Sequence, residues 1–570
     1  MTAPGRGLSP AGNPASPSHS IASAEERLGT YASQVDSRLS GWEKIGASGR
    51  IWHKDPMFWP AADPTNVKTR LGWLTLPNDS LALLPDAQRL ADDIRSDGFR
   101  YVVLLGMGGS SLAPETLART FGPRPGWPEL RVLDSTHPAT VRRTVGTDDL
   151  AKSVFVVSSK SGTTLEPNAL FQYFWAEVSR VCDPAGPQFV AITDPGTPLE
   201  QLARRHGFRR CFLAPSDVGG RYSALTPFGL VPAALVGIDV AKLLATAREM
   251  ASQCGPDVAA RSHPGLRLGA ALGELARAGR DKVVLVSSRS SEALPPWLEQ
   301  LIAESLGKSG KGLVPVTDEL DPLNPMGAQD RFVVEFRHET STESAPGATP
   351  PPRDGVSPRL VIDLPDPDAI ASEFFRWEFA VAAVGSILGV DPFDQPDVEI
   401  AKELAREAMN ASRGPAARSP AADAVPVRDG TRLGIRMDQW IAAARPGDYV
   451  AIQGFLDPTD AVRDGVLELS HSVRRTLRLA TTTGFGPRFL HSSGQLHKGG
   501  PPNGMFLQLM DEPAFDLEVP GMSLSFGRII RAQADGDAQA LLQRGRRLVR
   551  VQLGPDAPAG LAILRERFTV

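Results

Sequence analysis

The stretch from Val154 to Glu166 reads Val-Phe-Val-Val-Ser-Ser-Lys-Ser-Gly-Thr-Thr-Leu-Glu. A short valine-rich apolar run suits a buried strand. Ser158, Ser159, Ser161, Thr163 and Thr164 are poor strand formers and good helix starters. Gly162 supplies a turn between them, and a helical pattern follows over 168–178. A strand that stops, turns and enters a helix is one step of a parallel α/β sheet. The helix start presents unpaired N–H groups and the positive end of the helix dipole, to which five hydroxyls and Lys160 add. Such a turn is an anion site, and phosphate is the anion its chemistry favours. An ordinary capped turn has the same composition, so the rest of the chain must separate the two readings.

The same alternation surrounds this stretch. Strands are predicted at Tyr101–Leu105, Leu130–Leu133, Phe189–Thr193 and Arg210–Leu213, with helices at Leu112–Phe121 and Pro198–His206. The Gly-rich turn Gly106–Ser111 ends the first of these strands, so two glycine- and hydroxyl-rich strand ends lie in neighbouring βα units, where ligands of open α/β sheets sit. The glycine run lacks the G-x-G-x-x-G spacing of a dinucleotide site, and Asp134 is the nearest residue to a ribose-binding acid. Further alternation predicts helix Gly265–Ala278, strand Lys282–Val286, helix Ser291–Gly307, strands Arg331–Phe336 and Arg359–Leu364, and helices Ile370–Leu388 and Val398–Ala408. A last stretch predicts strand Tyr449–Gln453, helix Ala461–Thr481, strands Phe489–Leu490 and Met505–Leu509, helix Phe526–Arg544 and strand Leu548–Leu553.

A chain of 570 residues calls for two to four units at about 150 residues each. Residues 1–22 are Ser/Pro/Gly/Ala-rich and read as a disordered tail without a signal peptide. Residues 23–98 read as a segment of helix and loop, and 99–255 as the first α/β unit. The second unit begins at 256–410; 411–430 is an Ala/Pro/Arg linker, and 431–570 is read as the C-terminal part of that second unit. Residues 341–358 read as a Pro-rich surface insertion. A net charge of −4 gives no pull toward nucleic acid or a membrane surface, and no apolar run reaches the roughly 18 residues of a spanning helix. Cys182, Cys211 and Cys254 are scattered, without C-x-x-C spacing, and fit a reducing, cytoplasmic setting.

Two phosphate-type turns in series resemble the sugar isomerase (SIS-type) domain of phosphosugar enzymes, and four further motifs narrow the resemblance. Gly219-Gly-Arg-Tyr-Ser-Ala-Leu-Thr-Pro-Phe-Gly229 is similar to the Gly-Gly-Arg-(Phe/Tyr)-Ser signature of the phosphoglucose isomerase family. Gln300-Leu-Ile-Ala-Glu-Ser-Leu-Gly-Lys308 resembles its helix bearing a glutamine and, four residues on, the catalytic glutamate. Gln395-Pro-Asp-Val-Glu-Ile-Ala-Lys402 resembles its Q-P-G-V-E-x-x-K motif, with Asp397 in place of glycine. Leu490-His-Ser-Ser-Gly-Gln495 resembles the L-H-S-x-G-Q segment of smaller bacterial members. Here the histidine motif follows the lysine motif, whereas in ordinary members it lies between the glutamate and lysine motifs. That order resembles the isomerase half of bifunctional transaldolase/phosphoglucose isomerase proteins. The motifs begin too early for a transaldolase barrel of about 250 residues to precede them, so an isomerase part alone is expected. The resemblance implies an α/β fold of two doubly wound, parallel-sheet SIS-type domains with an α/β C-terminal extension.

It also implies a glucose-6-phosphate isomerase that works by ring opening and a cis-enediolate proton transfer. That chemistry needs a base to move a carbon-bound proton between C2 and C1, for which Glu304 is the candidate, with Gln300 one turn away on the same helix face. Arg221, after Gly219 and Gly220, is the candidate for facing the developing oxyanion. His491, with Lys402 assisting, is the candidate for ring opening; His497 competes for that role or lines the pocket. The phosphate is assigned to Ser159, Lys160, Ser161, Thr163 and Thr164, approached by Gly108, Gly109 and Ser110, with Gly220, Gln300, Gln395 and His497 completing the binding set. The expected ligand is a small phosphosugar, without cofactor or metal; a homodimer, and a site shared between its copies, are left open. Two rivals remain: a non-catalytic phosphosugar-binding regulator or partner of a separate transaldolase, and an isomerase that also accepts mannose 6-phosphate.

Overall fold

A computed structural model of the chain describes residues 23–287, 293–317, 329–338, 358–411 and 424–568. The expected tail at 1–22, nearly all of the insertion at 341–358 and residues 412–423 of the expected linker at 411–430 lie outside those residues.

Strand β1 (Ser23–Arg27) comes first and joins a sheet formed much later in the chain. Strands β2 (Tyr101–Leu105), β3 (Glu129–Leu133), β4 (Ser153–Ser158), β5 (Phe189–Thr193) and β6 (Arg210–Leu213) form sheet one, in the order β3-β2-β4-β5-β6, parallel throughout. Sheet two takes β7 (Lys282–Ser287), β8 (Val314–Val316), β9 (Arg331–His338) and β10 (Arg359–Leu364), ordered β1-β10-β9-β7-β8, with β1 antiparallel at its edge. Sheet three takes β11 (Val425–Pro426), β12 (Tyr449–Phe455), β13 (Ala480–Phe485), β14 (Gly504–Met510) and β15 (Arg547–Gln552), ordered β11-β15-β14-β12-β13 and again parallel.

Why these segments form parallel strands is visible in β2 and β4. Val102, Leu104, Val154 and Val156 face one core, which also takes in the N-terminal helices and those over sheet two. Val103, Leu105, Phe155 and Val157 face another core, on the opposite side of the sheet. A strand buried on both faces reads as a continuous apolar run, and each such side chain contributes about 1.5–3 kcal/mol. The second core is completed from far along the chain by Val519, Phe526 and Ile529. Sheet three has a core of its own, and a smaller cluster with Val314, Val316, Tyr449 and Ala480 fills the junction of sheets two and three.

The fold class is therefore parallel-sheet α/β, and residues 431–570, expected to complete the second unit, carry four strands of a separate sheet whose fifth, Val425–Pro426, falls where a linker was expected and pairs with β15. Three local expectations are corrected. Ser23–Arg27, placed in helix and loop, is a strand that pairs through its backbone with Arg359–Asp363. The helix predicted over Ala461–Thr481 ends at Leu477, where Arg478 takes a left-handed φ of 57° and turns the chain into β13. Phe489–Leu490, predicted as strand, lies in the 3₁₀ turn Arg488–His491.

In sheet one the strand order reverses between β2 and β4, so the Gly106–Ser111 and Ser158–Thr164 turns both open at the switch point. The corresponding crevice of sheet three, after β12 and β14, is filled by docking. Asp457 accepts from Thr140 Oγ1 at 2.7 Å and from the Arg143 guanidinium, and Asp511 lies 3.2 Å from His137 Nε2. That contact seats the C-terminal unit on the first one and carries the 488–497 segment to the cleft.

Candidate active site

The two switch-point turns are tied together: Ser158 Oγ donates to Ser110 O at 3.2 Å, and Ser223 Oγ, from the Gly219–Ser223 turn, donates to Gly109 O at 3.3 Å. Glycine is required here by close approach. A β-carbon on Gly109 would stand 2.0 Å from Gly220 O, and one on Gly108 would stand 2.6 Å from His491 O. Beyond β4, Thr164 precedes helix Leu165–Val178, Ser159 Oγ donates to Thr164 Oγ1 at 3.2 Å, and Ser161 Oγ lies 2.9 Å from Thr163 Oγ1. Lys160 forms an ion pair with Asp194 and donates to Ser216 O at 3.3 Å. Burial pushes the Asp194 carboxyl up, against the opposing pull of Lys160.

Helix Leu294–Leu306 brings the acid group. Gln300 Nε2 donates to Glu304 Oε2 at 3.1 Å and to His491 O at 2.7 Å, so one amide joins the glutamate to the histidine segment. Gln300 Oε1 is buried without a protein hydrogen-bond partner among the described residues, which leaves an acceptor for a ligand hydroxyl. Arg221 is 3% exposed, and its Nη1 lies 3.7 Å from Glu304 Oε1. It donates from Nε to Ser305 Oγ, from Nη1 to Gln395 Oε1, and from Nη2 to Pro392 O and Asp394 O, each at 2.8 Å. Four of its five N–H groups are thus spent on protein. The residue is a fixed positive charge more than a free donor. Lys308 supports the same 391–395 turn, donating to Asp391 O at 2.6 Å and to Asp394 Oδ1 at 2.7 Å. Burial, with the neighbouring Arg221 charge, lowers the Lys308 ammonium to about 8.

His491 Nε2 lies 3.0 Å from Glu166 Oε1, and Gln533 Nε2 donates to the same oxygen at 2.7 Å. A carboxylate can only accept, so Nε2 of His491 carries the hydrogen, which in the neutral ring leaves the lone pair on Nδ1. All these groups belong to one chain. The cleft they enclose holds about 710 Å³ and is lined by Gly108, Gly109, Ser110, Ser159, Lys160, Ser161, Thr163, Thr164, Gly220, Arg221, Gln300, Glu304, Gln395 and His491. Lys402 falls on helix Pro396–Ala411, but its side chain lies outside the described set.

His497 does not line the cleft. Helix Gly494–Gly499 turns it inward, where it packs between Phe489 and Phe506 and its Nδ1 lies 3.1 Å from Gln453 Nε2. Burial first, and then the Lys498 charge, hold its imidazole well below the ordinary range. Asp134 is likewise no ribose ligand, since it accepts from Arg488 Nη1 at 2.8 Å. Asp397 has a structural account. Its Oδ2 accepts from Gln495 Nε2 at 2.7 Å, its N–H donates to Gln495 Oε1 at 3.0 Å, and its Oδ1 pairs with Arg544, binding the lysine-motif helix to the C-terminal unit.

Several lining residues carry no motif signal: Arg70, Asp194, Arg406 and Gln533. Glu166 stood inside the phosphate stretch, where a first-turn helix glutamate reads as dipole chemistry. Among the described residues no three His, Cys, Asp or Glu side chains converge as a metal site, and no helix is long and apolar enough to cross a membrane.

A model of the phosphoglucose isomerase family matches residues 94–313. A protein of Rubrobacter xylanophilus named glucose-6-phosphate isomerase is 30% identical over 422 residues, covering 65% of this chain and 94% of that one. One of the same name from Heliobacterium modesticaldum is 32% identical over 390 residues, covering 58% and 84%. Among solved structures, a hypothetical protein of Thermus thermophilus superposes with a TM-score of 0.57 at 25% identity, over 68% of this chain and 99% of that one. The signature glycines, the paired glutamine and glutamate, and the histidine segment thus meet in one cleft of a chain whose match spans nearly the whole of a relative, and this chain belongs to the phosphoglucose isomerase family.

Proposed function

We propose that the chain interconverts glucose 6-phosphate and fructose 6-phosphate. The observation that carries the reading is the Gln300 amide, which joins Glu304 to the His491 backbone at the open end of a hydroxyl-lined phosphate turn. The phosphate sits on Ser159, Lys160, Ser161, Thr163 and Thr164, where hydroxyls, a helix start and one ammonium favour a dianion. That anchor sets where C1 and C2 fall. His491, held by Glu166, moves the proton between the ring oxygen and the C1 hydroxyl, and Lys402 assists. Glu304 then takes the C2 proton and returns it to C1. The enediolate formed between those steps is stabilised by the fixed Arg221 charge, and one such contact is worth about 3–4 kcal/mol in the transition state.

Glu304, Arg221 and His491 line one cleft within a single chain. Three free thiols suit a cytoplasmic setting. The test is a coupled assay on the purified chain beside Glu304→Gln. Loss of the base lowers kcat by about 10²–10⁴-fold, with little change in KM because the phosphate turn is untouched. Turnover that survives unchanged in the variant would overturn the assignment. Phosphosugar binding without turnover by the wild type would point to a regulator, and the same assay with mannose 6-phosphate decides the sugar range.

A further inference from the structure

Gln533 lies on helix Phe526–Gln543 of the C-terminal unit, is 4% exposed and borders the cleft, yet the mechanism above gives it no task. Its amide oxygen accepts from Thr136 Oγ1 at 2.8 Å, and its amide nitrogen donates to Glu166 Oε1 at 2.7 Å. That oxygen is the one His491 Nε2 meets at 3.0 Å. Thr136, Gln533, Glu166 and His491 therefore form one hydrogen-bonded chain, alternating between the first unit and the C-terminal unit.

We infer that Gln533 is a positioning residue for the ring-opening step, holding Glu166 so that His491 keeps its Nε2–H tautomer and a free Nδ1. The step it serves rests on the isomerase reading, whereas the relay itself stands on the geometry. A carboxylate accepts only, so the Gln533 nitrogen must face Glu166, and the Thr136 hydroxyl then satisfies the amide oxygen. Rotation about the terminal bond of a glutamate is soft and roughly two-fold. Two donors on one carboxylate oxygen, His491 Nε2 and Gln533 Nε2, restrict the turning of that carboxylate and with it the swing of the imidazole. Because Gln533 sits on a helix of the C-terminal unit, the relay also makes the histidine's tautomer depend on how that unit docks.

The charged and titratable groups around this relay are Glu304, Arg221, the Lys160–Asp194 pair, Arg70 and Arg406 in the cleft, the His137–Asp511 pair beside Thr136, and the buried Lys498–Asp537 pair, whose aspartate is one turn along the helix from Gln533. All are the same in the variants that test it.

Two substitutions separate positioning from packing. Gln533→Met keeps the length and removes both hydrogen-bonding groups; Gln533→Glu keeps a donor only while the introduced carboxyl is protonated. The readouts are kcat and KM across pH, and the ¹⁵N shifts of the His491 ring, assigned by their loss in His491→Asn. Gln533→Met lowers kcat by about 10–100-fold, leaves KM within twofold, and changes His491 from one tautomer to a mixture. In Gln533→Glu the neighbouring Glu166 charge raises the introduced carboxyl's pKa. Turnover stays near wild type on the acid side and falls through a new basic limb as that proton leaves. A packing plug gives no such limb. The relay is overturned by a Gln533→Met kcat within twofold with an unchanged His491 tautomer, or by a wild-type pH profile in Gln533→Glu. The tautomer measurement needs no turnover, so a chain that fails to isomerise sugar phosphates removes the functional reading while the ring spectrum still decides the relay.

Discussion

Replacing Asp397 with glycine restores the residue usual in the lysine motif, yet in this chain it should loosen the helix that bears it. The carboxylate is 4% exposed. It accepts from Gln495 Nε2 at 2.7 Å and pairs with Arg544. Losing a hydrogen bond to a buried charge costs about 1.5–3 kcal/mol. Gln495 Nε2 still donates to Gly307 O at 3.0 Å, so the amide loses one of two partners, and this adds about 1 kcal/mol. Arg544 is 47% exposed and recovers water, so its share is small. Glycine within the first helical turn adds less than about 1 kcal/mol. The total is about 3 kcal/mol, which falls on the contact between helix Pro396–Ala411 and the 494–499 helix rather than on the whole molecule. Hydrogen exchange followed by mass spectrometry reads that contact directly. Amides of 397–411 should exchange about 100-fold faster in Asp397→Gly, and about fivefold faster in Asp397→Asn, which keeps an acceptor but not the charge. Exchange within threefold of wild type in Asp397→Gly would refute the view that this carboxylate fastens the helix.

Mixing His491→Ala with Glu304→Gln should restore no activity, because both side chains serve the cleft of their own chain; recovery above the sum of the two would mean that copies share sites. Asp194→Asn removes a negative charge beside the phosphate turn and should lower KM about fivefold at low salt, on the order of 1 kcal/mol, whereas Lys160→Met should raise it; a higher KM in Asp194→Asn would show instead that the pair is needed to place the lysine. For Lys308 the folded value of about 8 lies below the roughly 10.4 of an unfolded lysine. The unfolded chain therefore binds more protons between those values, and stability rises across that window as pH rises, the penalty being full below about 8 and gone above about 10.4. Urea unfolding of wild type beside Lys308→Met should show a relative gain on the order of 3 kcal/mol from pH 8 to 10.4, and a flat difference would refute it.

Strands such as Phe189–Thr193 and Arg359–Leu364, and helix Ile370–Leu388, were legible because their apolar runs or periods exceed what a loop would carry. Ser23–Arg27 has no such run; it is held by backbone pairing at a sheet edge, a contact made only once β10 exists. Ala480–Phe485 was hidden by three threonines after a strong helical pattern, and only the left-handed Arg478 separates the two. In the cleft, Gln300, Glu304 and Arg221 were legible through motifs that resemble those of the family, and the four-residue spacing of Gln300 and Glu304 puts that pair on one helix face. Gln533 and Glu166 are 367 positions apart, and their contact exists only after two units dock. His491 and His497 flank the same Gly-Gln pair, and the helix at 494–499 decides which of them faces the cleft.

The docking of sheet three on the first unit also bears on the order in which the molecule gains competence. The phosphate turns and Glu304 are specified by residue 306, while His491 and Gln533 come nearly 200 positions later or more. Domains fold broadly in the order in which they are synthesised. On the proposed reading the phosphate-binding groups emerge first, whereas the ring-opening group and the residues that complete one face of the sheet beneath them arrive together in the last third. Ligand present during refolding would then stabilise the assembled molecule by mass action, with the last third closing both the core and the cleft.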